Sequence, residues 1–543
     1  MSRPLVALVC VLVLTAGCTG ATDLLGPSEW GVDEVSEDVG FTYASQASGV
    51  GNGDAGVYAS DVNNDGWPDL LAIGGDQPVL FENTGGAFER SDALPAVDMA
   101  VQGALFFDAD GDGWEDLLLL PREGNATFLR NDGGTFTKEK RGLGDAFDVG
   151  VGASAADYDG DGDVDVFVVQ YGNWADGTPD GYLQSEGYVS EDNGNPNVLY
   201  ENTGDGFERV ENAGIRGAHW SLATSFVDLT GDGAPDVHVA NDFNNDTLYV
   251  NQGDGTFERR VLGTETSRNG MSSEVADVSG DGRPDVFVTN IYFPLDEANL
   301  TEERRARLEN YFSFVLRSKR IAGNNLLVNR GDGTFGSEAA AYGVREGGWG
   351  WAAVISDLDN DRDPDVFHAT QNVFRFDEED PHYTYPMVWT RGSEGYESRD
   401  ASDLGFEELD GRGVAALDFD RDGDVDLAVS AYNGEFVLYE NRAERLGNNA
   451  LDVRAVESNG ATTALGARVT VTVDGETQTA IQHARSDYQS QDSRVLHFGL
   501  GDRETVDRLQ VVWPDGTRQT LRNVTANQYV TVAPDGTVTT TET

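Results

Sequence analysis

Seven times the chain repeats one ten-residue pattern, and each copy gathers acid that ought to repel itself. The copies are DVNNDGWPDL from Asp61, DADGDGWEDL from Asp108, DYDGDGDVDV from Asp157, DLTGDGAPDV from Asp228, DVSGDGRPDV from Asp277, DLDNDRDPDV from Asp357 and DFDRDGDVDL from Asp418. Oxygen-bearing side chains recur at positions 1, 3, 5 and 9, with glycine at position 6 in six copies and an apolar residue at position 10. Ahead of each copy stands a short run of small and apolar residues. Behind it come a second apolar run, a third ending in Asn or a near equivalent, and a Gly-rich hairpin opening a fourth. Four short strands with turns at regular spacing, repeated at about 50 residues, are the pattern of β-propeller blades.

Seven loops predict seven blades. The loops start 47, 49, 71, 49, 80 and 61 residues apart, which places insertions near 171–195, 292–321 and 371–386. The middle insertion reads as a helix capped by Thr301, with Leu308, Tyr311, Phe312, Val315 and Leu316 on one face. An aromatic opens the fourth strand in the first six units: Phe88, Phe136, Phe207, Phe257, Phe335 and Tyr396. After the seventh loop none follows. FTYASQASGV, from Phe41, looks like such a strand without its hairpin, so residues 41–50 are expected to complete the last blade and close the ring.

Carboxylates converging within about 4 Å repel by roughly 4 kcal/mol per pair at an effective dielectric near 20. A bound cation offsets that. Oxygen ligands in flexible number select calcium, and no His or Cys lies inside any loop to select zinc or copper. The expected ligand sets are Asp61, Asn63, Asp65 and Asp69; Asp108, Asp110, Asp112 and Asp116; Asp157, Asp159, Asp161 and Asp165; Asp228, Thr230, Asp232 and Asp236; Asp277, Ser279, Asp281 and Asp285; Asp357, Asp359, Asp361 and Asp365; and Asp418, Asp420, Asp422 and Asp426. Up to seven Ca²⁺ ions are therefore expected. The loops are not EF-hands: position 12 is Ala72 in the first copy and Val168 in the third, and the following run is strand-like, so the Asp at position 9 is read as the closing ligand. Thr230 and Ser279 lower the charge of their sites, and Arg362 replaces the position-6 glycine of the sixth.

The formal charge is −58, spread over the chain, with three lysines (Lys138, Lys140, Lys319) among the 37 basic residues. Nucleic acid and anionic membrane surfaces are excluded as partners by repulsion. The acid is expected to suit high salt, where screening acts over about 3 Å. Arg3, the apolar run Leu5–Leu14 and Thr15-Ala16-Gly17-Cys18 read as a secretory signal, too short to span a bilayer. LTAGC resembles a lipobox, with Cys18 as the lipidated residue and the anchor as the only membrane contact. Cys10 would leave with the signal, so the mature chain is expected to have no disulfide.

From about Leu446 the acidic loops stop and alternation begins, with Val469, Val471 and Val473 facing one way and Thr470 and Thr472 the other. The loops followed by N-x-G-D-G-T-F resemble the FG-GAP or VCBS repeats of integrin α-type propellers. SDYQSQ (486–491), HFGLG (497–501) and VVWPDG (511–516) resemble the ASPIC/UnbV domain that follows such repeats in proteins similar to cartilage acidic protein. The resemblance implies calcium held within the blades and ligands docking elsewhere on the ring. The expected fold is all-β: a seven-bladed β-propeller followed by a small β-sandwich-like domain. Its divisions are a signal peptide (1–17), an acidic tether (18–40), the propeller (41–445), the second β domain (446–536) and a tail (537–543). Catalytic machinery does not stand out, since His219, His238, His368, His382, His483 and His497 are scattered. The expectation is a monomeric, exported, calcium-binding protein that recognises a protein or glycan at the cell surface; an extracytoplasmic enzyme or assembly factor is the alternative.

Overall fold

The computed structural model describes residues 30–39, 41, 55–172, 194–292, 302, 306, 323–371 and 385–543, apart from 76, 145, 148, 243, 263–267, 393–394 and 433–435. The expected signal segment, Cys18 and most of the three insertions, including nearly all of the expected helix after Thr301, lie outside the described residues.

Among the described residues, seven antiparallel sheets with at least four strands each follow one another along the chain. In each, an acidic loop joins the first strand to the second, as Gly56–Ser60 to Asp69–Ile73 in sheet 1 and Gly411–Leu417 to Asp426–Ala431 in sheet 7. Neighbouring sheets share apolar cores. Sheets 1 and 2 meet through Tyr58, Leu71, Phe106 and Leu119, and sheets 7 and 1 through Leu417, Leu438, Val57 and Leu70. The ring is therefore closed by packing.

The strand that completes sheet 7 is Val32–Glu34, which takes the place expected for 41–50; of that stretch only Phe41 is among the described residues. Val32 faces Asn441 in the register in which Phe88 faces Asn83 and Phe207 faces Asn202. Valine thus stands where the other sheets carry an aromatic, which is why the aromatic pattern pointed past it to Phe41. Phe41 is instead a buried wedge between sheets 7 and 1, 5.1 Å from Phe81 edge-on. Trp30 donates its indole N–H to Asn441 Oδ1, the role a hairpin glycine N–H plays at Asn83 and Asn131. Residues 30–39 thus belong to the propeller, within the stretch expected to be a tether.

The C-terminal domain is a sandwich of two four-stranded sheets. Val469, Val471 and Val473 point into its core with Leu451, Leu509 and Phe498, and Thr470 and Thr472 alternate outward. Val538–Glu542, expected to be a tail, pairs with Gln528–Val532 as an edge strand. Its outward residues give no hydrophobic alternation to read.

Candidate metal centres and the capped axis

All seven acidic loops adopt one conformation. Position 4 (Asn64, Gly111, Gly160, Gly231, Gly280, Asn360, Arg421) and position 6 have positive φ throughout, including Arg362 at 87°. The position-1 carboxylate accepts the N–H groups of the turn. Asp61 takes Asp65 N and Gly66 N, Asp157 takes Gly160 N and Gly162 N, and Asp357 takes Asp361 N and Arg362 N. The Arg362 side chain turns away to Glu476, 3.0 Å distant, so its charge is shared with the C-terminal domain.

The position-9 aspartate has a role that the sequence reading did not assign. In every loop one of its oxygens accepts a backbone N–H early in the loop, and the other accepts the N–H at the end of the third strand. Asp69, for example, takes Val62 N at 3.0 Å and Asn83 N at 2.8 Å. The Asn side chain then reaches the position-2 carbonyl of the preceding sheet: Asn83 to Phe419, Asn131 to Val62, Asn202 to Ala109, Asn251 to Tyr158, Asn329 to Leu229 and Asn441 to Leu358. Arg391 does the same to Val278 in sheet 6. One staple per sheet thus runs round the ring, and position 9 holds its root.

Positions 1, 3 and 9 still converge. Oxygens of Asp108, Asp110 and Asp116 lie within 4.8 Å of one another, as do those of Asp157, Asp159 and Asp165, and of Asp418, Asp420 and Asp426; in the sixth loop Asp357, Asp359 and Asp361 do so. Glu440, on the third strand of sheet 7 and not expected as a ligand, joins Asp420 and Asp422. In the first loop Asn63 Oδ1 is turned to Asp65 N. Asp228 and Asp232, and Asp277 and Asp281, hold the turns of the fourth and fifth loops as their counterparts do. Asp161 and Asp422 each accept the N–H two residues on. In the second loop the Arg130 guanidinium lies 2.8 Å from both Asp110 and Asp112, neutralising part of that site without an ion.

The fit to a hard cation is best in loops 6 and 7. Asp359 Oδ1 and Asp420 Oδ1, both at position 3, are buried and accept no hydrogen bond. Thr230 Oγ1 and Ser279 Oγ, at the same position of loops 4 and 5, are also buried, with nothing beyond a marginal approach to Asp236 and Asp285. A carboxylate oxygen buried among other carboxylates needs a cation or a proton. Burial pushes Asp69 and Asp165 up to about 8 and Asp116 and Asp236 up to about 7, and holds Asp357, Asp365, Asp418 and Asp426 well above the usual range. An ion held by these residues would supply the charge that keeps the acids ionised at neutral pH.

The axis of the ring is filled. Residues 484–493, between two strands of the C-terminal domain, run into it and bond the innermost strands. Gln489 O accepts Val57 N of sheet 1 at 2.9 Å, and Gln491 Oε1 accepts Phe106 N of sheet 2 at 2.9 Å. Ser486 makes three bonds with Ala153 of sheet 3, its N–H and hydroxyl both donating to Ala153 O and its Oγ accepting Ala153 N. Asp487 accepts Ser273 N, beside sheet 5, at 2.8 Å and Ala353 N of sheet 6 at 3.1 Å. Asp492 accepts Ala416 N of sheet 7 at 2.8 Å. Tyr488 lies on Trp351, ring centres 4.6 Å apart. Two buried arginines tie the segment down, Arg485 to Glu274 in a two-pronged pair and Arg494 to Glu115 at 3.0 Å. Beyond the plug, the C-terminal domain sits on the acidic loops. Thr462 Oγ1 donates to Asp108 Oδ2 at 2.6 Å and Tyr529 OH to Asp418 Oδ2 at 3.0 Å. His497 Nε2 lies 2.6 Å from Asn360 Oδ1.

A family model described as FG-GAP-like repeat matches residues 61–119, 108–168, 228–288 and 314–368, and one described as ASPIC and UnbV matches residues 456–539. The chain carries FG-GAP-like repeats capped by an ASPIC/UnbV domain. Similar solved structures include an Agrocybe aegerita lectin studied for specific recognition of non-reducing terminal N-acetylglucosamine (18% identity, 67% of this chain, 84% of that one, TM-score 0.42). BBS1N in complex with ARL6DN (8%, 76%, 97%, 0.42) and YCF48 from Cyanidioschyzon merolae (10%, 71%, 96%, 0.37) are also similar. No curated protein matches the chain.

The ASPIC/UnbV motifs acquire physical meaning here. SDYQSQ is the axial plug, and HFGLG is the seat on the sixth loop, where a Cβ on Gly499 would lie 1.9 Å from Asp357 Oδ2. The Trp of VVWPDG instead serves the sandwich itself, with Trp513 donating to Val456 O. Between the ASPIC/UnbV domain and sheets 5–7 remains a cleft of about 700 Å³, lined by Arg283, Asp361, Arg391, Gln478, His483 and Arg485 among others. The Arg330-Gly331-Asp332 sequence lies in a hairpin turn, where Asp332 accepts Thr334 N. Among the described residues no helix is long and apolar enough to cross a membrane.

Proposed function

We propose that this propeller is an exported, calcium-loaded binding protein that takes a protein or glycan ligand at the cell surface. The observation that carries the reading is the plugged axis. With the centre of the ring occupied by residues 484–493, the cleft between sheets 5–7 and the ASPIC/UnbV domain is, among the described residues, a cavity of ligand size, in the range of about 300–1,000 Å³ common for such sites. Its lining sets arginine, carboxylate, amide and imidazole groups beside apolar side chains such as Ile355 and Val495, a mixture that suits a sugar or a peptide better than a purely apolar ligand. Calcium in the acidic loops holds the scaffold, export runs through residues 1–17, Cys18 carries the lipid, and the mature chain acts as a monomer.

The test is binding of the purified chain to arrayed glycans and to cell-surface extract, with and without chelator, beside an Arg283→Ala/Gln478→Ala variant. Calcium-dependent binding lost in the variant supports the reading. Binding untouched by the variant overturns the cleft, and turnover of a glycan or peptide substrate replaces the binder with an enzyme.

A further inference from the structure

The ASPIC/UnbV domain does more than lie beside the acidic loops: it roofs the two that best fit an ion. Over loop 6, Gly501 N donates to Asn360 O at 2.8 Å, Asn448 Nδ2 donates to Asp359 O at 2.8 Å, and Gly499 packs on Asp357. His497 is held between Asn360 and Asp452, at 2.6 and 2.9 Å. Over loop 7, Tyr529 donates to the same Asp418 oxygen that accepts Gly423 N, and its ring carries the Arg421 guanidinium 4.6 Å from the centroid. These are the loops whose position-3 oxygens, Asp359 Oδ1 and Asp420 Oδ1, are buried without a donor. Groups from both domains therefore surround one pair of oxygen clusters, and the plug leaves the roof only a few residues away, at Val495.

We propose that the ASPIC/UnbV domain is a working part of metal centres 6 and 7, so that cation binding there and seating of the axial plug are one linked equilibrium. This rests on the calcium reading of the loops. Tyr529 fixes one oxygen of Asp418 and leaves the carboxylate oriented toward the cluster. Such outer partners typically alter metal affinity by about 10- to 100-fold. Linkage is reciprocal: the factor by which a seated roof tightens the ion is the factor by which the ion tightens the roof. Loop 3, whose Asp157, Asp159 and Asp165 form the same cluster, makes no hydrogen bond to the C-terminal domain among the described residues and serves as the internal control.

The experiment uses the full mature chain and Ca²⁺ alone as probe. Calorimetric titration counts the ions, and hydrogen exchange follows the amides of Ser486 and Ser493, which are bonded to Ala153 O and Ala416 O in the axis. Asp420→Asn is compared with Asp159→Asn, and Tyr529→Phe with the parent. At limiting calcium, D420N and Y529F are expected to speed exchange at both amides, Y529F by about 10- to 100-fold, the range for an outer partner, while D159N loses an ion and leaves them unchanged. Equal exchange in D420N and D159N, or plug amides indifferent to calcium in a chain that binds it, overturns the proposal while sparing the calcium reading. A chain that binds no calcium overturns both.

Discussion

The axial plug makes its sharpest prediction at Arg485. Its guanidinium forms a two-pronged pair with Glu274, with Nη2 2.6 Å from Oε2, and donates to Ser273 O at 2.8 Å; the two side chains are 5% and 2% exposed. Asp487 and Asp492 stand in the same buried group. Arg485→Met keeps the volume and strands three acids around a lost cation. Breaking a buried pair by removing one partner costs about 3–5 kcal/mol, because the remaining charge keeps its desolvation cost without compensation. Replacing both partners by neutral groups of similar shape is far milder. Urea unfolding in saturating calcium, read by tryptophan fluorescence, should therefore show R485M less stable than the parent by about 3–5 kcal/mol, with R485M/E274Q recovering most of the loss. An R485M protein within about 1 kcal/mol of the parent, the range of an exposed pair, would refute the buried plug. So would a double variant whose cost is the sum of the two singles.

Three further outcomes are expected. Chelation should lower the melting temperature, each site held at about 100 times its dissociation constant contributing roughly 2.7 kcal/mol. The effect should grow with pH: burial raises Asp69 and Asp165 to about 8, so the stability these two carboxyls contribute to the metal-free fold is full below the unfolded value near 3.9 and is lost as pH rises through 8, a loss that bound calcium would prevent. A calcium shift in melting no larger at pH 8.5 than at pH 5.5 would contradict this. In saturating calcium a smaller decline should remain between about pH 4 and 7, because burial and then Glu274 push Asp492 up to about 7; Asp492→Asn should flatten it, and identical slopes would sink the assignment. Gly499→Ala should unseat the ASPIC/UnbV domain, since its Cβ would meet Asp357 Oδ2 and the Asn360 Cα at 1.9 and 2.7 Å, whereas Gly475→Ala, with open space around it, pays only for its left-handed backbone; limited proteolysis within 446–543 separates the two.

What the sequence disclosed was what is local in it. The acidic loops could be read because all their parts lie within ten residues, and the hairpin glycines because each turn demands them. The Asn that ends each third strand was visible as a pattern. Its work was not, because the carbonyl that Asn131 binds is Val62, one sheet back and 69 residues away. The closing strand was misplaced for a related reason: Val32 fills an aromatic position, and only its register with Asn441 shows the equivalence. Arg130 and Glu440 were invisible as partners of the loops because each reaches its cluster from a third strand.

SDYQSQ is the extreme case. It has no hydrophobic period and reads as a polar loop, because its partners are backbone groups rather than side-chain pockets. The inner strands of a ring of sheets turn an unpaired edge toward the axis, and open edges invite wrong pairing. Here eleven hydrogen bonds link the segment to backbone N–H or C=O of Val57, Phe106, Ala153, Ser273, Ala353 and Ala416, on or beside the inner strands of six of the seven sheets. At about 1 kcal/mol net each, withdrawing the plug costs on the order of 10 kcal/mol, comparable to the stability of a whole domain. Opening is therefore expected to be rare, and a ligand of the proposed kind would meet the capped form. On the proposed reading, recognition would then fall to the cleft rather than the axis, and calcium would modulate how rarely the plug opens rather than expel it.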